Sequence, residues 1–278
     1  MNIYLFAENV KIALKSIKTN IVRTILTVFI IAFGIMALVG ILTAIEGVKN
    51  TLTEQFSLMG ANSFAIIKKE IQVKRQGRQE RKKNTPNIKY EEAQRFKKLF
   101  RFPCIIAISA QVTSTATIKY KNEKTDPNIN TWGVDENDIY TSGKIIEYGR
   151  NFTENDIVNG SHYTIIGSEI GKKLFKTNEN PLNKVISLSG GKYKIIGILK
   201  EKGSSFGGWD RVCLIPITNS RQYFPVENQS YRINIMPLDP NTLQQAINEA
   251  EGLFRIIRNL KPNEESDFTI ESSNSLSE

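Results

Sequence analysis

The amino-acid sequence predicts an α+β protein in which one N-terminal transmembrane helix precedes a split βαβ sandwich with an inserted β-rich subdomain. Three features predict this class. An uncharged apolar run near the N-terminus is long enough to cross a bilayer. Two strand–helix–strand patterns, one early and one late, flank a middle region. That middle region consists of short strands punctuated by Gly, Asn and Asp.

The pattern of charged and apolar residues in positions 1–20 predicts a cytoplasmic amphipathic helix that lies in the membrane interface. Its apolar side chains fall within one sector about 100° wide, and they are Ile3, Phe6, Val10, Ala13, Leu14 and Ile17. The opposite side carries the charges, Glu8, Lys11, Lys15 and Lys18. A surface helix of a soluble domain would show the same pattern, but the direct connection to an apolar span favours the interface.

Residues 21–47 predict the transmembrane helix. No charged residue lies between Ile25 and Ile45, and these 21 positions extend about 31 Å as a helix, close to the hydrocarbon thickness of a bilayer. A cleaved export signal has an apolar region of only about 7 to 15 residues. A buried core helix, the other alternative, rarely needs so long an uncharged run.

The charges beside the span predict its orientation. Four cations precede the apolar run, Lys11, Lys15, Lys18 and Arg23, and no basic excess follows it. Lys and Arg near a span stay on the cytoplasmic side. The N-terminus is therefore expected in the cytoplasm, with the bulk of the chain on the periplasmic side of the inner membrane, in a single-pass arrangement for the sequence given.

Beyond the span, residues 48–61 predict a stalk that continues the helix, with Gly60 and Asn62 as stop signals. One α/β subdomain is then predicted from two separate segments, residues 62–124 and 226–273.

In the first segment, "SFAIIKK" and "CIIAISAQVTSTATIKY" are strands on either side of a helix. That helix is expected to pack through Tyr90, Ala93, Phe96, Leu99 and Phe100.

In the second segment, "YRINIMPL" and "DFTIESS" are strands around a helix with apolar residues at helical spacing. These residues are Leu243, Ile247, Ala250, Phe254, Ile257 and Leu260.

Residues 125–225 predict the inserted β-rich subdomain, and residues 274–278 a polar tail. The clearest hairpin, "NKVISLSGGKYKIIGILKE", has Gly190–Gly191 at its expected turn. The glycine-rich stretch 201–210 lacks the Lys followed by Ser or Thr of a phosphate-binding loop. A loop between two strands, with Trp209 packed or exposed at its tip, is therefore expected.

The sequence offers little for catalysis. His162 is the only histidine, so it is interpreted as structural, and no cysteine or histidine pairing has metal-ligand spacing. Cys104 and Cys213 each lie in an apolar run, which favours buried free thiols over a disulfide. The chain is not expected to be an enzyme, and no cofactor or metal is expected in it.

Residues 68–83 contain eight Lys or Arg and two Glu, and so contribute +6 of the net charge of +9. The run lacks interleaved aromatic residues and follows the span, which argues against nucleic-acid binding. A solvated loop is expected, with anionic lipid or an acidic partner as the alternative contact.

The order of these segments resembles that of ABC transporter permeases of the MacB and FtsX types. The stretch "ALKSIKTNIVRTILTVFIIAFGIMALVGILTAIEGVKNTLTEQFSLMGAN" is similar to their cytoplasmic helix, first span and stalk. Later blocks are similar to the MacB-like periplasmic core domain, namely "WGVDENDIY", "GRNFTENDIV", "IIGSEIGKKLF", "NPLNKVISLSGGKYKIIGILKEKGSSFGGWDRVCLIPIT" and "DFTIESSNSLSE".

The resemblance implies a permease that transmits ATP-driven conformational change to periplasmic partners or substrate, for export or for release of lipoproteins or peptides. It also implies a porter-like α/β part with a β-rich insertion. The expected partners are a separate ABC ATPase subunit that binds the ATP, a second permease copy or paired permease, membrane lipid, and a periplasmic adaptor with an outer-membrane channel. The chain has no Walker motif, and family permeases continue into three further spans, so it is expected to be a truncated permease.

Two groups of residues are the candidate contacts. Lys11, Lys15, Lys18 and Arg23 are expected at the membrane interface, on the ATPase side. Ser204, Ser205, Phe206 and Trp209 are expected to contact a partner. The alternative function is a standalone membrane-anchored periplasmic binding or sensor module.

Overall fold

The computed structural model describes residues 8–9, 11–12, 17–58, 62–69, 85–175, 179–202 and 209–272. Several predicted features lie outside the described residues. These are most of the N-terminal amphipathic helix with Lys15, Gly60, the basic run after Lys69, the loop residues Ser204, Ser205 and Phe206, and the polar tail.

The chain divides into two compact units, Met1–Gln55 and Phe56–Glu278. The first contains most of helix α1, Ile21–Leu58. Within the described residues, its segment Ile21–Gly47 is the one helix long and apolar enough to cross a membrane, and none of its most apolar window is buried. A helix that is apolar on all sides needs apolar surroundings, so α1 has the length and composition predicted for a membrane span.

Within the described residues, the second unit contains twelve strands. They are β1 Phe64–Lys68, β2 Cys104–Ala116, β3 Ile118–Tyr120, β4 Glu123–Lys124, β5 Ile129–Val134, β6 Ile146–Gly149, β7 Tyr163–Ile166, β8 Val185–Leu188, β9 Gly191–Leu199, β10 Val212–Pro216, β11 Arg232–Pro237 and β12 Phe268–Ser272.

Six α-helices accompany the strands in the described part of this unit. They are α2 Tyr90–Leu99, α3 Asp138–Thr141, α4 Glu154–Val158, α5 Ser168–Leu174, α6 Ile217–Tyr223 and α7 Leu243–Ile257. Two short 3-10 helices, Trp209–Arg211 and Pro240–Thr242, precede β10 and α7.

All twelve strands form one mixed sheet, in the order β12-β1-β11-β2-β5-β10-β7-β9-β8-β3-β4, with β6 beside β9. The early and late strands β12, β1, β11 and β2 are antiparallel neighbours at one end. The middle of the sequence supplies the other end, where β5 and β10, and also β7 and β9, are parallel pairs. Helices and a mixed sheet in one unit confirm the α+β class.

Two apolar clusters lie on opposite faces of the central strands. Val212 and Leu214 of β10 belong to the larger cluster, whereas Cys213 and Ile215 belong to the smaller one. Successive side chains of a strand point to opposite faces. Helices α2 and α7 cover the larger cluster, where the rings of Phe96 and Phe254 lie 5.9 Å apart.

Two local predictions are wrong. The hairpin turn is Ser189–Gly190, with φ values of 48° and 92°, and Gly191 already pairs with Leu188. A two-residue turn that matches the twist of its strands needs positive φ at both positions. Leu99 and Phe100 were both expected to pack with Phe96. Phe100 is buried, but Leu99, the last residue of α2, is 46% exposed.

Candidate functional site

The described cationic candidates near the span are exposed. Lys11 and Lys18 lie in helical residues before α1, and Arg23 lies in its first turn. Within the described part of the chain none of the three forms an ion pair. Such side chains keep their charged ends in water or among head groups, which is compatible with the expected interface position.

Trp209 is half-buried against a buried ion pair. The ammonium of Lys144 lies 4.2 Å from the centroid of the Trp209 ring and 2.7 Å from Oδ2 of Asp138. It also donates to Oγ of Ser142 at 2.8 Å. The side chains of Lys144 and Asp138 are only 4% and 3% exposed, so the pair is a fixed support for the indole ring rather than a mobile charge.

Asp210 joins both ends of the loop that precedes Trp209. Its Oδ1 accepts the hydroxyl of Ser168 at 2.9 Å and the backbone N–H of Lys202 at 3.1 Å. Gly167 makes a close approach here, since a Cβ at this position would lie 2.5 Å from the carbonyl oxygen of Trp209. The backbone at Trp209 is therefore held from two sides.

A small cavity of about 80 Å³ adjoins the indole ring, and Lys144, Ile145, Leu199, Lys200, Lys202 and Trp209 contribute to its lining. Burial, together with the nearby charge of Lys144, lowers the pKa of Lys202. With Glu201 also in the lining, the cavity places the indole ring beside the amino groups of Lys200 and Lys202 and one carboxylate, which suits non-covalent contact with a protein or ligand.

The strand registers place Trp209 far from the points where the chain enters and leaves the sheet. Phe64 at the start of β1 pairs with Ser272 at the end of β12. Following the paired residues across β11, β2 and β5 shows that Phe64 lies at the same end of the strands as Val134, the last residue of β5. Strand β10 is parallel to β5, and its last residue pairs with Val134. Trp209 immediately precedes β10, so it lies at the opposite end of the strands from Phe64.

A second polar group, which the sequence did not indicate, surrounds Asp135 after β5. Its Oδ2 accepts from Lys97 Nζ at 2.8 Å and from the Ile108 N–H at 2.9 Å, and its Oδ1 accepts from the Asn137 N–H at 3.1 Å. Burial raises the pKa of Asp135 to about 6 despite the Lys97 ammonium. Burial alone would lower the pKa of Lys97, but the charge of Asp135 raises it.

Arg258, just after α7, is the other polar group that sequence reasoning missed. Its guanidinium contacts Glu92 at 2.8 Å and Asp267 at 2.5 Å. It also donates to the carbonyl oxygens of Asn87 and Pro86 at 3.2 and 3.4 Å. One side chain that is 6% exposed therefore ties together the starts of α2 and β12 and the end of α7.

The remaining reactive side chains have structural surroundings. The His162 ring lies 4.8 Å from that of Tyr223 and 5.4 Å from that of Tyr193. Cys104 and Cys213 are free thiols, and burial raises their pKa values to about 11 and about 12. Among the described residues, no group of three His, Cys, Asp or Glu side chains is arranged to hold a metal ion.

Comparison with known proteins identifies the relatives of this chain. The model of the MacB-like periplasmic core domain matches residues 24–253. The macrolide export ATP-binding/permease protein MacB of Hahella chejuensis is 24% identical over 252 residues, 91% of this chain and 37% of that protein. MacB of Neisseria gonorrhoeae is 24% identical over 272 residues, 98% of this chain and 40% of that protein. The chain thus spans about two fifths of the length of these relatives.

Two solved structures share the fold. The periplasmic region of MacB from Actinobacillus actinomycetemcomitans has a TM-score of 0.61 and 18% identity, with 80% of this chain and 94% of that chain covered. The extracellular domain of the noncanonical ABC-type transporter YknZ from Gram-positive bacteria has a TM-score of 0.57 and 19% identity, with 76% and 100% covered. At these identities the likeness shows the fold alone.

Proposed function

Because the chain belongs to the family of MacB-like periplasmic core domains, we propose that it is the first-span and extracytoplasmic part of an ABC transporter permease. In this role it transmits ATP-driven conformational change from a separate ATPase to periplasmic partners or substrate, for export or for release of lipoproteins or peptides. The chain itself carries out no catalysis and needs no cofactor.

One observation carries this proposal, the pairing of Phe64 with Ser272. Five residues separate the end of α1 from Phe64, so, among the described strands, the one nearest to the span in sequence and the last one lie side by side at one edge of the sheet. Movement of the span would then reach β1 and, through backbone hydrogen bonds, its neighbours β12 and β11.

The continuous sheet supports transmission of such a movement. All twelve strands are joined by backbone hydrogen bonds, and close-packed interiors shift as units rather than deform continuously. Trp209 is held half-buried beside a cavity, at the opposite end of the strands from Phe64, which supports a partner contact formed by Ser204, Ser205, Phe206 and Trp209. A periplasmic adaptor or the substrate is the proposed occupant.

The ATPase contact is proposed at the other side of the membrane. Lys11, Lys15, Lys18 and Arg23 would lie at the cytoplasmic interface, near anionic lipid and the ATPase. The two MacB relatives are each named as an ATP-binding and permease protein, which supports a functional unit made of an ATPase and a permease. Such a unit would contain two permease copies.

The experiment is a distance measurement on the full chain in nanodiscs together with a separate ABC ATPase as its partner. A spin label at Lys192→Cys, an exposed position on β9, reports the separation of two copies. The distance is expected to change when ATP is trapped, and to stay unchanged with an ATPase whose P-loop Lys is replaced. Constant distances with a bound and active ATPase would contradict transmission. Failure to bind any ATPase would favour a standalone anchored binding or sensor module.

A further inference from the structure

A shallow groove of about 580 Å³ lies on the outer surface of α2, remote in sequence from Trp209. Its lining includes Tyr90, Glu91, Arg95, Lys98, Leu99 and Arg221. All except Arg221 come from α2, and Arg221 comes from α6. No role proposed above uses these side chains.

Arg221 forms one wall of the groove in a fixed position. Its guanidinium carbon lies 3.8 Å from the centroid of the Tyr90 ring, and its Nη2 lies 3.5 Å from Oε1 of Glu91. Tyr90 in turn packs against Tyr231 with ring centroids 5.3 Å apart. A cation stacked on an aromatic ring loses little additional freedom when it binds a partner.

The groove carries an excess of positive charge. Arg95 and Lys98 are exposed and three residues apart on α2, so both face the same side of the helix. Neither forms an ion pair with any residue in the described ranges. The lining therefore contains three cations, Arg95, Lys98 and Arg221, and one carboxylate, that of Glu91, which gives it a net charge of +2.

The groove also exposes an apolar side chain. Leu99 is 46% exposed at the C-terminal end of α2, directly beside Lys98. An apolar side chain flanked by cations is complementary to a segment with an apolar residue among carboxylates.

We propose that this groove binds an acidic, amphipathic helical segment of a partner protein. Carboxylates of that segment pair with Arg95, Lys98 and Arg221, and an apolar side chain of it contacts Leu99. The contact is independent of the proposed one at Trp209, so either can fail without the other.

The test uses the full chain in nanodiscs of neutral lipid and a fluorescent synthetic peptide. The peptide has about fourteen residues, or four helical turns, with Glu and Leu on one face, and binding is followed by anisotropy. We expect saturable binding that weakens at higher salt, and no binding of a peptide in which every Glu is Lys. Arg95→Glu with Lys98→Glu should weaken binding at least tenfold, and Leu99→Ser at least threefold.

Lys192→Glu with Lys194→Glu is the matched control, because it makes the same change of net charge at two exposed positions of β9. Equal weakening by both double variants would overturn the proposal, since binding would then follow overall charge. Binding insensitive to Leu99→Ser would also overturn it.

A photo-crosslinking amino acid in place of Lys98 then identifies the occupant in cells. A crosslink to an acidic segment of another protein supports the proposal. Crosslinks only to lipid, or only to a second copy of this chain, would contradict it.

Discussion

At the scale of single residues, Arg258 is a charged side chain whose loss should lower stability strongly. Its replacement by Leu leaves Glu92 and Asp267 without their common cation and removes donors from two backbone carbonyl oxygens. Removing one partner of a buried ion pair typically costs about 3 to 5 kcal/mol. We expect Arg258→Leu to lower the free energy of unfolding by about that amount in denaturant titrations.

Arg232→Leu is the control for this prediction. Arg232 pairs with Glu271, but the two side chains are 40% and 51% exposed, so the loss should stay within about 1 kcal/mol. Equal losses in the two variants would show that burial does not distinguish these pairs.

The buried carboxyl group of Asp135, which pairs with Lys97, should make the free energy of unfolding depend on pH. The pKa of Asp135 is raised to about 6 by burial, so the folded state binds this proton more tightly than the unfolded chain. Its contribution to stability is therefore greatest at low pH and is lost as pH rises through about 6. In Lys97→Met the carboxylate loses its counter-ion, so the loss of stability should be about 2 to 3 kcal/mol at about pH 8 and smaller at about pH 5.

Two variants check the origin of that effect. Asp135→Asn combined with Lys97→Met should remove most of the additional pH dependence, because the buried carboxylate is gone and the other carboxylate beside Lys97, that of Glu136 at 3.2 Å, is 28% exposed. Lys98→Met removes an exposed cation on the same helix and should change stability little at either pH. If Lys97→Met lowered the free energy of unfolding equally at both pH values, Asp135 could not be the source of the pH dependence.

These polar groups could not be read from the sequence because their partners are distant along the chain. Arg258 and Glu92 are 166 positions apart, and Lys97 and Asp135 are 38 apart. Each residue taken alone is an ordinary charge on a surface helix or in a loop. Trp209 was recognisable because a tryptophan beside glycines in a loop is unusual, whereas its support by Lys144 and Asp138 depends on the fold.

At the scale of elements, periodic apolar patterns were the most informative signal. The spacing of Ala250, Phe254 and Ile257 predicted the buried face of α7, and all three are buried. The prediction that Leu99 is buried was wrong because the apolar spacing does not indicate where α2 ends. The hairpin was foreseen, but its turn was displaced by one residue because Ser189 adopts a positive φ that is unusual for serine.

The contact of α5 with the Trp209 backbone gives an element-scale prediction. Gly167 precedes α5, and a Cβ there would overlap the carbonyl oxygens of Trp209 and Asp210. Gly167→Ala should therefore displace this backbone, lower the free energy of unfolding by about 1 to 3 kcal/mol and shift tryptophan emission to the red. Denaturant titration and fluorescence spectra measure the two effects.

A second glycine of the same element provides the comparison. A Cβ at Gly171, inside α5, would meet only the Cδ1 atom of Ile166, at 4.0 Å. Gly171→Ala should stabilise the helix by about 0.5 to 1 kcal/mol and leave the emission unchanged. Similar destabilisation in both variants would argue against a specific contact with the Trp209 backbone.

At the scale of the whole molecule, the sequence predicted the fold class but not the path of the chain through the sheet. The sequence placed the segments of β2 and β11 in one α/β subdomain, but it did not indicate that β2 also pairs with β5, so that one sheet continues into residues 125–225. The parallel pair β5 and β10 joins strands about eighty residues apart. Pairings over such separations leave no local pattern, because any strand with a suitable apolar face satisfies the same rule.

The proposed orientation across the membrane can be tested by thiol labelling of intact cells, and the native cysteines make this practical. Burial raises the pKa values of Cys104 and Cys213 to about 11 and about 12. Since the thiolate is the reactive form, the unmodified chain should react slowly with a membrane-impermeant maleimide. Lys192→Cys, exposed on β9, should be labelled in intact cells, whereas Lys18→Cys, before the span, should react only after permeabilisation. The reverse pattern would place the core domain in the cytoplasm, where it could not meet periplasmic partners, and the permease function would have to be abandoned.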